Sequence, residues 1–268
     1  MLKEFAINLF VVGAQKAGTT ALAHFLAQHP EICMYPEKEL HFFDFDQPLR
    51  TWGRQEVNGQ VRDRFSNYVG QPVVGEATPV YMYLPPVPSR IREYNPDAKI
   101  IVLLRNPVER AASHYAMSRS ERVEWLPFKD ALRVERFRLW RDRRLFTEES
   151  SLRRHSYVDR GRYIRQIKRL LEQFPQNQVL FVRSDRLLDD HAGTIRAVYE
   201  FLRVNRSGFL PEPKRLRVGS ANAKLDRATY RFLARTFERE IDELEKLLGW
   251  NLDEWRERNR ALAALGTR

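Results

Sequence analysis

Short apolar runs alternate with helical patterns along the chain. The run Ile7–Ala14 (INLFVVGA) carries no charge, and 98–107 (AKIIVLLRNP) and Asn177–Asp185 (NQVLFVRSD) have equally apolar centres. Such runs are typical of strands that are buried on both faces of a sheet. A shorter strand is predicted within 72–79 (PVVGEATP). These four segments predict the strands of a parallel sheet.

The segments between the strands have the periodicity of helices. The segment 19–30 (TTALAHFLAQHP) predicts a helix that Thr19 or Thr20 caps and Pro30 ends, and Gly249 suits the left-handed end of the last helix. Strands that alternate with helices indicate the α/β class, a parallel sheet with helices on both faces. We expect one domain over residues 1–268. The other predicted helices cover 89–96, 108–118, roughly 128–174, 192–204 and 225–250.

Composition narrows the class of protein. The chain has 268 residues, of which 43% are hydrophobic, and this favours a folded globular protein over a disordered one. No apolar run is long enough to span a membrane, and a strand within ten residues of Met1 leaves no room for a targeting peptide, so we expect a cytoplasmic protein. Cys33 is the single cysteine, which excludes an intrachain disulfide. The net charge of +11 favours an anionic partner.

The segment Gly13–Thr20 (GAQKAGTT) joins the first strand to the first helix. Two glycines before a helix amino terminus present backbone N–H groups to an anion, and Lys16 adds a positive charge. A plain strand-to-helix turn is the alternative, but glycines, lysine and threonines together favour phosphate binding. In the kinase motif G-x-x-x-x-G-K-[ST] a lysine stands where this chain has Thr19. Arg105, at the end of a buried strand where a kinase needs an acidic metal ligand, favours direct pairing with phosphate and no metal.

These segments resemble the sulfotransferases that use 3′-phosphoadenosine 5′-phosphosulfate (PAPS). GAQKAGTT is similar to their 5′-phosphosulfate loop, and 102–115 (VLLRNPVERAASHY) is similar to their 3′-phosphate motif, an arginine followed eight residues later by a serine. Segments 161–190 and 244–255 also resemble bacterial members of this superfamily, which implies a P-loop-like fold. The resemblance implies these cofactor-binding residues: Gln15, Lys16, Ala17, Gly18, Thr19, Thr20, Arg105 and Ser113. Taken alone, the residues leave two alternatives: a salt bridge at the end of a strand for Arg105, and a solvated or back-bonding helical serine for Ser113.

The segment 35–44 (YPEKELHFFD) resembles the acceptor side of the heparan-sulfate type, with its Glu-x-His-Phe-Phe-Asp pattern. The resemblance implies that Glu39 is the general base. His41 either orients Glu39 or accepts the proton itself, since an ordinary histidine titrates near neutral pH. Asp44 and Glu76 are expected on the acceptor side. Without the resemblance, an ordinary surface carboxylate and a core histidine would be favoured here.

The chain also departs from the heparan-sulfate type. Those enzymes carry Glu-Lys-Thr-Pro where this chain has Glu76-Ala77-Thr78-Pro79, so a lysine that holds an acidic acceptor is missing. The arginine-rich stretch 133–169 either compensates as an acceptor groove or is the solvated face of amphipathic helices. Arg217 and Ser220 lie where family members have a loop that covers the cofactor.

The resemblance implies transfer of the sulfuryl group of PAPS to a hydroxyl or amine, with 3′-phosphoadenosine 5′-phosphate (PAP) as product. Lys16 and Glu39 would be catalytic, no metal is expected, and the acceptor would be a small molecule or glycan, such as a carbohydrate or glycolipid. One alternative is a divergent P-loop kinase that phosphorylates a small alcohol. Another is a basic module that binds nucleotides or nucleic acid, although no nucleic-acid motif with interleaved aromatic residues is present.

Overall fold

The structure is a computed structural model that describes residues 4–37, 39–46, 49, 51–143, 147–205, 209–214 and 226–265. The chain divides into two compact units, which are described separately below. The first comprises Met1–Leu104 and Lys168–Arg217, and the second comprises Arg105–Ile167 and Val218–Arg268. A single domain over residues 1–268 stays a prediction.

A parallel sheet of five strands lies within the first unit. The strands are β1 (Leu9–Gly13), β2 (Ile32–Met34), β3 (Val73–Glu76), β4 (Lys99–Leu104) and β5 (Val179–Arg183), in the order β2-β3-β1-β4-β5. The central strand β1 pairs with both β3 and β4, in parallel. The chain leaves β1 toward one edge and β4 toward the other. In sheets of this kind, ligands bind beyond the carboxyl ends of the strands where the direction reverses.

Helices of the first unit flank this sheet, and other helices form most of the second unit. In chain order they are α1 (Thr19–Leu26), α2 (Arg54–Val61), α3 (Val87–Tyr94), α4 (Pro107–Ser120), α5 (Phe128–Arg141), α6 (Ser151–Arg154), α7 (Tyr163–Gln173), α8 (Arg186–Asp189), α9 (His191–Leu202), α10 (Arg227–Leu248) and α11 (Asp253–Leu265). Single turns of tighter 3₁₀ helix cover Arg62–Arg64, Asp159–Gly161 and Gln176–Gln178.

Each unit has its own apolar packing. Every residue of β1 is buried, and so is every residue of β4 beyond Lys99. In the second unit α4, α5 and α10 pack through a cluster of buried side chains: Val108, Ala111, Tyr115, Phe128, Ala131, Tyr157, Leu233 and Phe237. The thiol of Cys33, on β2, is buried in the first unit and donates to Asn67 Oδ1 at 3.4 Å. Burial raises the pKa of this thiol to about 11.

The α/β class predicted from the sequence, a parallel sheet flanked by helices, is confirmed. Gly249 ends α10 in the left-handed conformation (φ 66°), as predicted. The predicted ends of α1 were wrong. Its N-cap is Gly18 and not Thr19 or Thr20, and the helix ends at Leu26, before Pro30. The sequence patterns did not predict β2, α2, α8 and α11, and the long helical stretch 128–174 is broken into α5, α6 and α7.

Candidate active site

The carboxyl end of β1 has no room for a side chain. A Cβ atom on Gly13 would lie 2.2 Å from Met82 Sδ, far inside van der Waals contact. The backbone N–H of Met82 donates to Val12 O at 3.0 Å, so the two segments touch along their backbones as well. Glycine is therefore required where β1 passes into the loop that precedes α1.

The loop between β1 and α1 turns its backbone through two left-handed residues, Lys16 (φ 71°) and Gly18 (φ 91°). The N–H of Ala17 donates to Ala14 O at 3.0 Å and closes the turn. Backbones that alternate in this way present successive N–H groups to one side and form concavities for anions. Gln15 and Lys16 are half-buried, whereas Ala17 is buried.

The amino end of α1 begins without a capping side chain, because its N-cap is Gly18. The predicted caps have other places: Thr19 is buried and Thr20 is exposed. The first turn of a helix carries N–H groups without intrahelical acceptors and the positive end of the helix dipole. A phosphate or sulfate can supply the acceptor that no side chain at Gly18 supplies.

Three of the predicted acceptor-side residues form one hydrogen-bonded chain. His41 Nε2 lies 2.9 Å from Glu39 Oε2, and His41 Nδ1 lies 2.8 Å from Asp44 Oδ2. The Asp44 side chain is fully buried, whereas Glu39 keeps 18% of its side-chain surface exposed. Asp44 therefore fixes the histidine from inside, and Glu39 is the carboxylate that an acceptor can reach.

The protonation of His41 decides which of these groups can act as a base. Burial lowers the pKa of the imidazole, but the hydrogen bonds that the ring donates to Asp44 and Glu39 outweigh this effect and raise the pKa to about 9. At neutral pH the ring is therefore an imidazolium that donates from both nitrogens. A group that already holds its proton cannot take one from an acceptor, so this geometry favours the orienting role of His41 over the role of base.

Glu76 lies at the end of β3 and is fully buried. The hydroxyl of Thr78 donates to Glu76 Oε2 at 2.7 Å. The pKa of Glu76 is raised to about 8: burial is the largest cause, the Thr78 hydrogen bond opposes it, and the nearby Asp44 carboxylate adds to it. Asp44 and Glu76 are both held by internal hydrogen bonds, and their contact with an acceptor stays a prediction.

These shifts predict how stability depends on pH. The pKa of Glu76 is raised from 4.5 to about 8, so the native state holds a proton that the unfolded chain releases across this window. The stability that this proton confers is present below pH 4.5 and is lost as the pH rises through 8. His41, raised from 6.5 to about 9, acts in the same direction across a higher window. The unfolding free energy should therefore fall most steeply between pH 6.5 and 8, where both windows overlap.

Urea denaturation of wild type and Glu76→Gln at a series of pH values checks this prediction. Glutamine cannot ionise, so the variant should gain stability relative to wild type as the pH rises from 4.5 to 8. Outside this window the two curves should run parallel. Parallel curves across the whole range would contradict a raised pKa for Glu76.

The predicted 3′-phosphate residues belong to the second unit. Arg105 directly follows the last residue of β4, and its Nε and Nη2 donate to Glu109 Oε2 at 3.1 and 2.9 Å. Arg258 Nη1 lies 3.9 Å from the other oxygen of Glu109. Ser113 is half-buried on α4. The sequence interpretation missed Glu109, although its place four residues after Arg105 suits an ion pair on a helix.

Some arginines of the stretch 133–169 are structural, a role that the sequence interpretation did not consider. Arg138 donates to the buried Glu124, and Arg160, itself buried, donates to the carbonyls of Leu152 and Arg153. Arg133 is largely exposed. An acceptor groove along this stretch stays a prediction. Arg217 and Ser220, the residues predicted to cover the cofactor, lie outside the described residues.

None of the helices in the described part of the chain is long and apolar enough to cross a membrane. No group of three or more histidine, cysteine, aspartate or glutamate residues there has the arrangement of a metal site.

The five-stranded parallel sheet, and the glycine loop that leads from its central strand into a helix, define a P-loop-like α/β protein. The sulfotransferase domain family matches residues 7–217. The chain therefore belongs to the sulfotransferase family, and the resemblance stated from its motifs is confirmed.

Relatives and solved structures agree with this membership. The chain is 32% identical over 198 residues to heparan sulfate glucosamine 3-O-sulfotransferase 3B1 of Mus musculus, a match that covers 73% of this chain and 46% of the relative. The chain spans about half the length of the curated relatives it matches. A sulfotransferase from Alicyclobacillus acidocaldarius superposes with a TM-score of 0.77 and 30% identity over 94% of this chain and all of that one. Mouse sulfotransferase SULT7A1 complexed with PAP shares the fold, with a TM-score of 0.52 and 14% identity over 97% and 89% of the two chains.

Proposed function

We propose that this protein is a PAPS-dependent sulfotransferase that transfers a sulfuryl group to a hydroxyl or amine of a carbohydrate or glycolipid. The observation that carries the proposal is the hydrogen-bonded chain from Asp44 through His41 to Glu39. It lies in the same unit as the loop before α1, and the segment 78–82 contacts both. Thr78 Oγ1 accepts a hydrogen bond from the N–H of Leu40, next to Glu39. Met82, in the same segment, packs on Gly13, where the loop begins.

The described residues fit the phosphosulfate end of the cofactor. The loop Gln15–Thr20 offers left-handed backbone, an uncapped helix amino terminus and the charge of Lys16, all suited to an anion. PAPS, when bound, supplies the sulfuryl group and its phosphate leaving group. Lys16 and the helix terminus would stabilise the negative charge that develops on that phosphate. We assign the 3′-phosphate to Arg105 and Ser113, because the segment 102–115 is similar to the 3′-phosphate motif of the family.

Glu39 would take the proton from the hydroxyl or amine of the sulfuryl acceptor while the oxygen or nitrogen of that group forms its bond to sulfur. Because His41 is an imidazolium at neutral pH, its Nε2–H orients Glu39 and takes no proton. Asp44 holds the ring through the other nitrogen. Most of the rate enhancement in such transfers comes from positioning and electrostatics, with attacking and leaving atoms in line.

The heparan-sulfate relatives support a carbohydrate acceptor, since the mouse relative is a sulfotransferase that acts on the glucosamine of heparan sulfate. The heparan-sulfate type has a lysine where this chain has Ala77, in Glu76-Ala77-Thr78-Pro79, and this difference argues against heparan sulfate itself as the acceptor. We therefore propose the hydroxyl or amine of a sugar as the acceptor group. A screen of glycans and glycolipids with labelled PAPS, scored by transfer of label, tests this assignment.

Thermal unfolding with added ligand tests the cofactor. PAP in the presence of EDTA should raise the melting temperature, because a ligand that binds only the native state stabilises it by about 2.7 kcal/mol at 100 times its Kd. Lys16→Met should reduce the shift, while the charge-matched surface variant Arg133→Met should keep it. Stabilisation by ATP with Mg²⁺ and none by PAP would favour the divergent kinase. Salt-sensitive binding of polynucleotides, again with no effect of PAP, would favour the nucleic-acid module.

A further inference from the structure

The segment 40–43 makes its backbone hydrogen bonds to two hydroxyl groups. Its four consecutive N–H groups lie in neither a helix nor a strand. The first two donate to Thr78 Oγ1 at 3.2 and 3.4 Å. The last two donate to the hydroxyl of Tyr81 at 3.1 and 3.2 Å. The hydroxyl oxygens of Thr78 and Tyr81 thus accept the N–H groups of this segment, as the backbone carbonyls of a neighbouring strand do in a sheet.

The hydroxyl of Thr78 has hydrogen-bond partners on both sides. A threonine hydroxyl has one proton to donate and lone pairs that accept. Its proton goes to Glu76 Oε2 at 2.7 Å, its oxygen accepts the N–H groups of Leu40 and His41, and it also interacts with the phenol of Tyr81. Thr78 and Glu76 are both fully buried, so water does not compete for these bonds. Glu76 therefore sets the direction of the Thr78 hydroxyl.

The backbone that Thr78 holds is an uncommon one. His41 adopts φ 50°, in the left-handed region that residues with a Cβ atom rarely occupy. Such a conformation persists where the surroundings impose it. In this conformation the imidazole lies between Asp44 and Glu39, within 2.9 Å of both carboxylates. A turn that relaxed would move the ring away from at least one of them.

We infer that Glu76 and Thr78 are positioning residues that hold the backbone of His41 so that its ring can orient Glu39. The catalytic part of this inference rests on the proposed function. In this role Glu76 acts through Thr78, and Thr78 acts through the amide of His41. Carboxylates Asp44 and Glu39 face Glu76 together with His41, and the phenols of Tyr35 and Tyr81 lie close enough to interact with it.

Titration of His41 by NMR tests the inference without any acceptor. His41→Asn identifies its signal among the six histidines, and in wild type the ring should titrate near pH 9. Thr78→Val removes the hydroxyl with little change of shape, and the midpoint should move by about one pH unit or more toward the ordinary value. Thr78→Ser keeps the hydroxyl and should restore the wild-type midpoint. An unchanged midpoint in Thr78→Val would overturn the inference.

Thr194→Val is the matched control for a general loss of stability. The Thr194 hydroxyl is also largely buried in the first unit and donates to Arg186 O at 3.1 Å, away from the segment 40–43. This variant should leave the titration of His41 unchanged. Glu76→Leu should act like Thr78→Val, while Glu76→Gln, which still accepts the Thr78 hydroxyl, should keep the high midpoint. A midpoint that moves equally in Thr194→Val would show that the effect is not specific, and would overturn the inference.

Kinetics test the catalytic part. In Thr78→Val, single-turnover transfer should slow by about 10- to 100-fold, the effect of a misplaced group, with PAP affinity unchanged. Thr78→Ser should transfer at close to the wild-type rate. A shifted titration with unchanged turnover would overturn the positioning role. If wild type bound no PAP and transferred no sulfate, the proposed function would fail, and the titration would still decide whether Glu76 and Thr78 hold His41.

Discussion

Replacing Glu39 by glutamine should slow single-turnover sulfuryl transfer by about 10²–10⁴, the usual contribution of a positioned general base. Glutamine keeps the size of the side chain and can still accept the Nε2–H of His41, which lies 2.9 Å from Glu39 Oε2. It cannot take the proton of the acceptor. PAP affinity should hardly change, because the substitution leaves the loop before α1 intact. The measurement is transfer from saturating PAPS to an acceptor found in the screen.

His41→Ala is the comparison that separates orientation from proton transfer. The alanine variant keeps the carboxylate of Glu39 but removes the donor that orients it, so we expect a smaller loss than in Glu39→Gln. Because the pKa of His41 is about 9, turnover in wild type should also weaken as the pH rises past that value and the ring loses its second proton. A larger loss in His41→Ala than in Glu39→Gln would assign the base to His41. Near-wild-type turnover in Glu39→Gln would remove Glu39 from the mechanism.

Arg105→Ala should weaken PAP binding by about 10- to 150-fold, which corresponds to the loss of about 1.5–3 kcal/mol for a charged hydrogen bond to phosphate. The structure adds a reason for a large effect. Glu109 accepts from two nitrogens of Arg105, so the alanine variant would leave a carboxylate without this partner beside the proposed phosphate position. Titration calorimetry with PAP measures the loss.

Two controls make the Arg105 prediction specific. Adenosine 5′-phosphosulfate lacks the 3′-phosphate, so its affinity should change little in Arg105→Ala. Arg258→Ala removes the other arginine near Glu109, 3.9 Å from its carboxylate, and should leave PAP binding nearly unchanged. Equal losses for both ligands in Arg105→Ala would contradict the assignment of Arg105 to the 3′-phosphate.

The sheet could be predicted from uninterrupted apolar runs. The strands β1 and β4 are buried on both faces and need no polar face, whereas β5 has an equally apolar run but leaves Leu180, Phe181 and Arg183 half-buried. The strand β2 has only three residues, too few for any periodicity to stand out. The cap of α1 was mispredicted for a different reason. Threonine is a common N-cap, but here the left-handed turn places Gly18 at that position and buries Thr19.

The candidate site was predictable only where its residues follow one another along the chain. Resemblance of one short segment placed Glu39, His41 and Asp44 together, and the structure shows them hydrogen-bonded. The part played by Thr78 could not be read from sequence, since its partners are backbone amides up to 38 residues away. Because every residue except proline has a backbone N–H, the sequence does not show which of them bonds to a given side chain. The high pKa of His41 likewise depends on distances between side chains that no pattern encodes.

Burial of Cys33 has a practical consequence for labelling. Thiol reagents attack the thiolate, and a buried thiol whose pKa is raised to about 11 offers almost none at neutral pH. Cys33 is also the single cysteine of the chain. The native protein should therefore react very little with maleimides. A cysteine introduced at an exposed position would then be the single site that a dye or spin label modifies. Fluorescence or distance measurements on this protein can begin from the wild-type sequence, without first removing a cysteine from β2.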